Sequence, residues 1–402
     1  MIVFVVNCGS SSLKYQLLDM DNESVMAKGL VERIGLPGAR LIHKLPNGRK
    51  TTVEADIHDH RIAIKLVISV LTDENYGVID SMEAIDAVGH RVVHGGELFA
   101  ESCLINDKVL KGILECADLA PLHNPPNILG IEACANVLPG VPQVAVFDTA
   151  FHQTMPDYAY IYGLPYDAYE KYRVRRYGFH GTSHKYVAKR VAEMMGEHMT
   201  DLRIITCHLG NGCSLAAVKY GKVIDTSMGF TPLDGLVMGT RCGEVDPAIV
   251  AYLMEKEKMT PEEMEEYLNK KSGVLGISGL SSDFRDIVAG YNAGNDRCRL
   301  AWDIFAYRVR KTIGSYVAAM GGVDAIVFTA GIGENSPEMR ASICEGLEYL
   351  GTRVDSFRNR AMGEEAEISA PRSRVQIFVV PTNEELVIAR DTAKLCKDLV
   401  MH

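Results

Sequence analysis

Apolar residues run unbroken from Ile2 to Val6, give way to Asn7 and a Gly9-Ser10-Ser11-Ser12 stretch, and resume in alternation with polar residues from Leu13 to Leu17. A run this short, followed by period-two alternation, predicts a strand, a small-residue turn and a second strand. Residues 1 to 60 continue in short alternating pieces separated by Leu36-Pro37-Gly38 and Leu45-Pro46-Asn47-Gly48, the punctuation of an antiparallel-edged sheet. The period then changes. Ile62, Leu66, Val67 and Val70 share a helical face, which predicts a helix from His60 to Leu71. Ile85, Ala87 and Val88 predict a buried strand that delivers His90, Arg91, Val93 and His94 to a Gly-Gly turn, and the apolar run in VPQVAVF predicts another that ends at Asp148. Between them, Leu122, His123 and Asn124 fall on a loop stiffened by prolines.

The opening pattern returns halfway along. A strand from Ile204 to Cys207 enters His208-Leu209-Gly210-Asn211-Gly212 and leaves through Ser214 to Val218, so that Asn7 falls on His208, Gly9 on Gly210 and Ser10 on Asn211. Backbone N–H groups and hydroxyls of such turns can converge on an anion, with Lys14 adding charge to the first. For either turn alone the alternative is an ordinary hairpin. Two of them suggest a duplicated domain with a ligand held between the halves. No GxxxxGK[ST] loop occurs. Further helices are predicted after Phe179-His180-Gly181, with Thr182 or Ser183 as N-cap and Val187, Val191 and Met194 inward; from Thr260-Pro261 to Gly273; from Leu300 to Tyr316; and from Glu385 to Val400. Strands are predicted from Asp324 to Thr329, running into an Ala-Gly-Ile-Gly turn with Ser336 and Pro337 opening a helix, and from Val375 to Val380.

Length and charge narrow the class. With 402 residues, 47% of them hydrophobic, the chain is expected to fold as two or three soluble domains. A net charge of −10 without a basic run excludes nucleic acid as a partner. Ten cysteines without a CxxC pair, and no leader before the first strand, point to reduced thiols in the cytoplasm. No apolar run approaches the roughly 18 residues of a membrane span.

Three charged residues stand where chemistry is done. Arg91 and Asp148 each follow a buried strand, where α/β proteins place ligand groups; a surface arginine and a helix cap are the alternatives. Arg241 lies among Gly239, Thr240, Cys242 and Gly243 in a glycine- and proline-rich segment, where it can approach a transferring phosphoryl group closely; an exposed loop arginine is the alternative. His180 and His184 have the spacing of a zinc pair but lack the HExxH glutamate.

Taken together, NCGSSSLKY, VGHRVVHGG, LAPLHNPPN, VFDTAFHQTMP, YGFHGTSHKYV, CHLGNG, GFTPLDGLVMGTRCG, SGVLGISGLSSDFRD, FTAGIGENS and PTNEEL make the chain resemble the acetate kinases, members of the acetate and sugar kinase, Hsp70 and actin superfamily. The likeness covers nearly the whole chain. It implies an α/β fold of two similar ribonuclease H-like (actin-like ATPase) lobes around a central cleft: residues 1–149 with 385–402 on the acceptor side, residues 150–384 binding the nucleotide. It implies reversible, direct transfer of the ATP γ-phosphate to acetate, giving acetyl phosphate and ADP, in a homodimer that uses Mg²⁺, or Mn²⁺ in its place. By position it assigns catalysis to Arg91, Asp148, His180 and Arg241. Asn7, Asp148 and Glu384 fall to the metal. Ser10, Ser12, Lys14, His208, Gly210, Asn211, Asp283, Phe284, Arg285, Gly331, Ile332 and Asn335 fall to ATP. Arg91 would hold the acceptor carboxylate, and Val93, Leu122, Phe179 and Pro232 its methyl group.

The residues agree with that chemistry. Acetate is already ionised near neutral pH, so the obstacle is two anions brought together rather than a missing base, and paired arginines with a metal ion and a histidine address it. Rival expectations are a sugar or polyol kinase in which Asp148 is a base, a propionate or butyrate kinase, and an Hsp70- or actin-like nucleotide switch.

Overall fold

The apolar opening forms β1 (Ile2–Cys8), and its small-residue turn returns the chain antiparallel as β2 (Ser12–Asp19), with Asn7 opposite Lys14. β3 (Ser24–Glu32), β4 (Arg40–Lys44) and β5 (Lys50–Glu54) extend the antiparallel meander. β6 (Ala87–Val92) then pairs parallel to β1, β8 (Gln143–Phe147) parallel to β6, and β7 (Cys103–Leu104) closes the far edge, in the order β5-β4-β3-β2-β1-β6-β8-β7. The computed structural model describes Met1 to Val400, and this sheet belongs to the first of two units: Met1–Phe151 together with the chain from Asn383 onward.

The helix predicted from His60 to Leu71 has those bounds, opened by Asp59, whose carboxylate accepts the Ile62 N–H. Its buried residues include Ala63, Ile64, Val67, Ile68, Val70 and Leu71, so Val67 and Val70 of the expected face point inward, while Ile62 and Leu66 are only partly covered. Apolar residues encircle most of this helix, so periodicity alone did not select the contact face. The proline-rich segment is not a loop: Pro125 and Pro126 occupy the first turn of a helix, Asn124–Val137, where a missing N–H costs nothing. These two helices pack with Phe4, Val6, Leu13 and Leu17 on one face of the sheet. The opposite face, carrying Val5, Asn7, Lys14 and Arg91, meets the terminal helix Glu384–Val400. Gly89 lets that helix approach, since a Cβ there would lie 2.6 Å from Ile388 Cγ2.

The second unit, His152–Thr382, is built on β9 (Arg203–Leu209), β10 (Cys213–Lys219), β11 (Lys222–Thr226), β12 (Ala325–Thr329), β13 (Ala366–Glu367) and β14 (Gln376–Val379), in the order β11-β10-β9-β12-β14-β13. Three antiparallel strands followed by two parallel ones occur in both sheets, β3-β2-β1-β6-β8 matching β11-β10-β9-β12-β14; this is the ribonuclease H-like order. The helix Gly181–Met195 packs on β9 and β12, and the long helix Asp296–Met320 on β9, β10 and β11. Helices are therefore exchanged: Gly181–Met195 follows β8 of the first sheet in the chain, Glu384–Val400 follows β14 of the second, and each packs on the other sheet.

Two local expectations are corrected. His180, left-handed at φ 56°, stands at the N-cap of Gly181–Met195, while Thr182 and Ser183 are buried inside its first turn, the Ser183 hydroxyl being engaged by His208 rather than by the backbone. The Ala-Gly-Ile-Gly turn is itself a short helix, Ala330–Asn335, before Ser336 caps Pro337–Cys344. Among the described residues all ten cysteines are free, and no helix is long and apolar enough to cross a membrane.

Candidate active site

In the first unit the parallel register sets Arg91 opposite Val146, near the ends of β6 and β8, and Asp148 follows directly. Arg91 grips Asp148 with Nε at 3.1 Å from each carboxylate oxygen and Nη2 at 2.6 Å from Oδ2. Asp148 is only 1% exposed. Burial opposes the charge on Arg91, but Asp148 and then Glu384 outweigh it and hold its pKa above the ordinary guanidinium range. A cavity of about 20 Å³, lined by Asn7, Lys14, Arg91, Glu384 and Glu385 among others, adjoins the pair. Burial pushes Glu384 up to about 7, with Arg91 pulling the other way and Asp148 adding to the rise.

These groups suit a magnesium ion shared with a substrate. Asp148, Glu384 and the Asn7 carboxamide are hard oxygen donors, and Glu384 is a carboxylate whose charge its surroundings leave undercompensated. Among the described residues no cluster of three His, Cys, Asp or Glu could cage a metal alone. Mg²⁺ usually takes one or two carboxylates and completes its shell with water and phosphate oxygens.

The first turn differs from its expected form. The Gly9 N–H donates to the Ser12 carbonyl at 2.8 Å, and the Gly9 carbonyl lies 2.8 Å from His60 Nε2, so the glycine's own donor is spent inside the turn. The second turn repeats this: Gly210 N–H donates to the Gly212 carbonyl at 3.1 Å. Ser10, Ser12 and Lys14 of the first, and Asn211 of the second, carry the side chains at those turns.

In the second unit, Thr206 and His208 sit two apart on β9, and Ser214 faces His208 across β10. Ser183 and His184, in the first turn of Gly181–Met195, meet them. His180 Nδ1 and His184 Nε2 each lie 2.8 Å from Ser214 Oγ, His184 Nδ1 lies 2.6 Å from Thr206 Oγ1, and Ser183 Oγ lies 2.8 Å from His208 Nδ1. The His180 and His208 rings stack at 4.1 Å and 23°. Burial, with His152 and His208 adding to it, drives His184 well below the ordinary imidazole range and keeps it neutral.

Arg241 is the counterpoint to Arg91. Its Nη1 donates to the Pro232 carbonyl at 3.1 Å, it has no carboxylate partner among the described residues, and burial lowers its pKa. Gly212 makes room for it: a Cβ there would lie 3.4 Å from both Arg241 Nη1 and His180 Cε1. Arg241 and His180 thus converge on the second hairpin.

From that hairpin a cavity of about 850 Å³ opens, lined by Gly210, Asn211, Asp283, Phe284, Arg285, Gly331, Ile332 and Asn335, a volume within the range of small-molecule sites. Asp283 caps the helix Phe284–Asn292, and the Arg285 guanidinium holds its carboxyl down to about 2. Phe284 packs edge-on against Phe305 at 4.6 Å, and Asn335 Nδ2 donates to the Gly331 carbonyl at 3.0 Å.

The four apolar residues expected around a methyl group divide between the units. Val93 and Phe179 are buried at 8% and 3% exposure, Leu122 is 70% exposed, and Pro232 adjoins Arg241. Asn127, which the sequence did not single out, and Asn124, which it placed on the proline-stiffened segment, support these groups from behind. Asn127 accepts the Val93 N–H at 3.1 Å and donates to the Cys8 carbonyl at 2.8 Å; Asn124 accepts the His94 N–H at 3.1 Å and returns a bond to the His94 carbonyl at 2.9 Å. Both are fully or almost fully buried. The polar residues in a proline-opened helix were the available signal.

Residues 2–390 match the model of the acetokinase family. The acetate kinase of Caldanaerobacter subterraneus subsp. tengcongensis is 62% identical over 400 residues, covering 99% of this chain and 100% of that protein. The crystal structure of Porphyromonas gingivalis acetate kinase has a TM-score of 0.96 at 52% identity, covering 98% of this chain and 99% of that one. A propionate kinase from Francisella tularensis subsp. tularensis has a TM-score of 0.91 at 42% identity, covering 98% and 99% respectively.

Proposed function

The chain belongs to the acetokinase family, and on that premise we propose that it transfers the γ-phosphoryl group of ATP directly to the carboxylate of acetate, reversibly forming acetyl phosphate and ADP. The observation that carries this reading is Arg241, a half-buried guanidinium without a carboxylate partner, meeting His180 over Gly212 where the 850 Å³ cavity begins. A positive charge left unpaired away from water is costly unless an anion completes it.

The second unit serves the nucleotide. Asp283, Phe284, Arg285, Gly331, Ile332 and Asn335 take the adenosine, and His208, Gly210 and Asn211 the phosphates. Arg241 and His180 neutralise the charge on the phosphoryl group in flight, the part of such a reaction that depends most on positioning and electrostatics. The first unit serves the acceptor. Arg91, fixed in direction by Asp148, presents its remaining Nη1 to the acceptor carboxylate; Val93 and Leu122 are the apolar residues that the family likeness assigns to the methyl group in this unit, and Phe179 and Pro232 those in the second. Ser10, Ser12 and Lys14 contact phosphate, while Asn7, Asp148 and Glu384 would hold Mg²⁺, or Mn²⁺, which when bound screens the phosphate charge. We also infer a cytoplasmic homodimer.

Asp148 separates this reading from an alcohol kinase. Both its oxygens already accept from Arg91, so most of its acceptor capacity is committed away from a substrate hydroxyl. Trapping of acyl phosphate with hydroxylamine, using acetate, propionate, butyrate and glycerol as acceptors, tests the proposal. Acetate is expected to lead and propionate to follow, an extra methylene being worth about 1–3 kcal/mol. Phosphorylation of glycerol without acyl hydroxamate from any acid would overturn it, and a preference for butyrate would overturn the small methyl pocket.

A further inference from the structure

Ser183, Thr382 and Glu334 have no role in the account above, yet they form a continuous run of hydrogen bonds that ends on His208. Glu334 lies in the short helix Ala330–Asn335, whose Gly331, Ile332 and Asn335 line the large cavity. Its Oε1 accepts the N–H of Ala330 at 2.7 Å and of Thr382 at 3.1 Å, with the Thr329 hydroxyl at 3.4 Å. Ala330 has φ 64°, a left-handed conformation that a residue with a Cβ adopts at a cost, and the Glu334 bond secures it. The Thr382 hydroxyl donates to Ser183 Oγ at 2.8 Å, and Ser183 Oγ lies 2.8 Å from His208 Nδ1.

A hydroxyl carries one proton. Since Ser183 accepts from Thr382, its own proton points at His208 Nδ1. That nitrogen must then offer a lone pair, and the proton of neutral His208 sits on Nε2. The Nε2 edge faces the second hairpin, 3.7 Å from the Cβ position of Gly210.

We propose that Glu334, Thr382 and Ser183 are positioning residues that hold His208 in its Nε2–H tautomer as a donor to the nucleotide's phosphates, and couple that donor to the turn lining the adenosine cavity. The inference rests on the phosphoryl-transfer reading. His180 stacks on His208, His184 lies edge-on to it at 6.2 Å, and Glu334 stands at the far end of the run, beyond Thr382 and Ser183.

Ser183→Ala frees the tautomer. At about pH 8 it is expected to lower kcat/KM for ATP by ~10-fold or more, in keeping with the loss of an oriented hydrogen bond to a charged group, while KM for acetate stays unchanged. Ser183→Thr, which keeps the hydroxyl, should behave as the parent, and Thr382→Val should show the same loss more weakly. No defect in Ser183→Ala, or a defect of equal size in Ser183→Thr, would overturn the relay. Histidine ¹⁵N shifts of the unaltered protein give a readout independent of variants: a proton on Nδ1 of neutral His208 refutes the proposal. If the unaltered protein makes no acyl phosphate, the reaction is wrong, but the ¹⁵N shifts and the ATP affinities of the variants still judge the relay.

Discussion

The β1–β2 and β9–β10 hairpins have the same strand pairing, the same parallel neighbour and the same internal turn bond from a glycine N–H, yet they carry opposite chemistry. Where the first sets Asn7 against Lys14, the second sets His208 against Ser214. The arginines differ likewise. Arg91 is neutralised by a carboxylate before any ligand arrives, and its pKa is raised; Arg241 is left without one, and burial lowers its pKa. A repeated backbone therefore supplies two similar turns, and a few side chains decide which is arranged around a fixed ion pair and oxygen donors and which around an unbalanced positive charge.

The strongest way to break that contrast is to remove each arginine. Arg241→Ala and Arg91→Ala should each lower kcat by roughly 10³-fold or more, the range of arginines that stabilise a phosphoryl group. Their stabilities should diverge. Arg91→Ala strands Asp148, 1% exposed, as an uncompensated charge and should cost about 3–5 kcal/mol, whereas Arg241→Ala removes an unpaired charge and should leave stability unchanged or raised. Equal destabilisation in urea titrations, or near-normal turnover of either variant, would dissolve the distinction.

Acid should weaken the first unit next. His90, beside Arg91 and 2.6 Å from Gln143 Oε1 through its Nε2, is lowered by burial to about 4 from the ordinary 6.5. Between those values the unfolded chain binds the extra proton, so the contribution is fully present above 6.5 and falls away as pH drops towards 4, by up to about 3 kcal/mol. His90→Gln should flatten that decline in denaturant midpoints measured across the interval. The smallest effect is expected from Gly212→Ala. Its Cβ would touch Arg241 and His180 at 3.4 Å without displacing them, so kcat should fall only ~3–10-fold at almost unchanged stability. A loss as large as that of Arg241→Ala would mean that the hairpin tolerates no change of shape.

Strands and hairpin turns were legible because period two is a strong signal in short runs, and the duplication was legible because it repeats that signal. The His60–Leu71 helix was legible to its ends. Its inner face was legible only in Val67 and Val70, since Ile62 and Leu66 are as apolar as Ile64 and Ile68. Of the residues that line the large cavity, Gly210 and Asn211 stood out as the repeat of the first turn and Gly331 in its glycine turn, whereas Asp283, Phe284 and Arg285 were reached by resemblance alone. The supporting polar residues escaped for a related reason. Asn127 joins Val93 to Cys8, and Thr382 joins Ser183 to Glu334; no local spacing announces bonds between residues 34 to 199 positions apart.

The exchange of helices has a consequence for how the chain comes to life. Glu384 rides on a helix that follows the last strand of the second sheet but covers the sheet begun by Ile2. During translation one face of the first sheet, with Val5 beside Asn7 and Arg91, stays uncovered until the strands of the second sheet have been made. A product cut short before Glu384 therefore lacks a cover for those strands together with the carboxylate nearest the Arg91–Asp148 pair, so one truncation removes packing and a candidate site group at once.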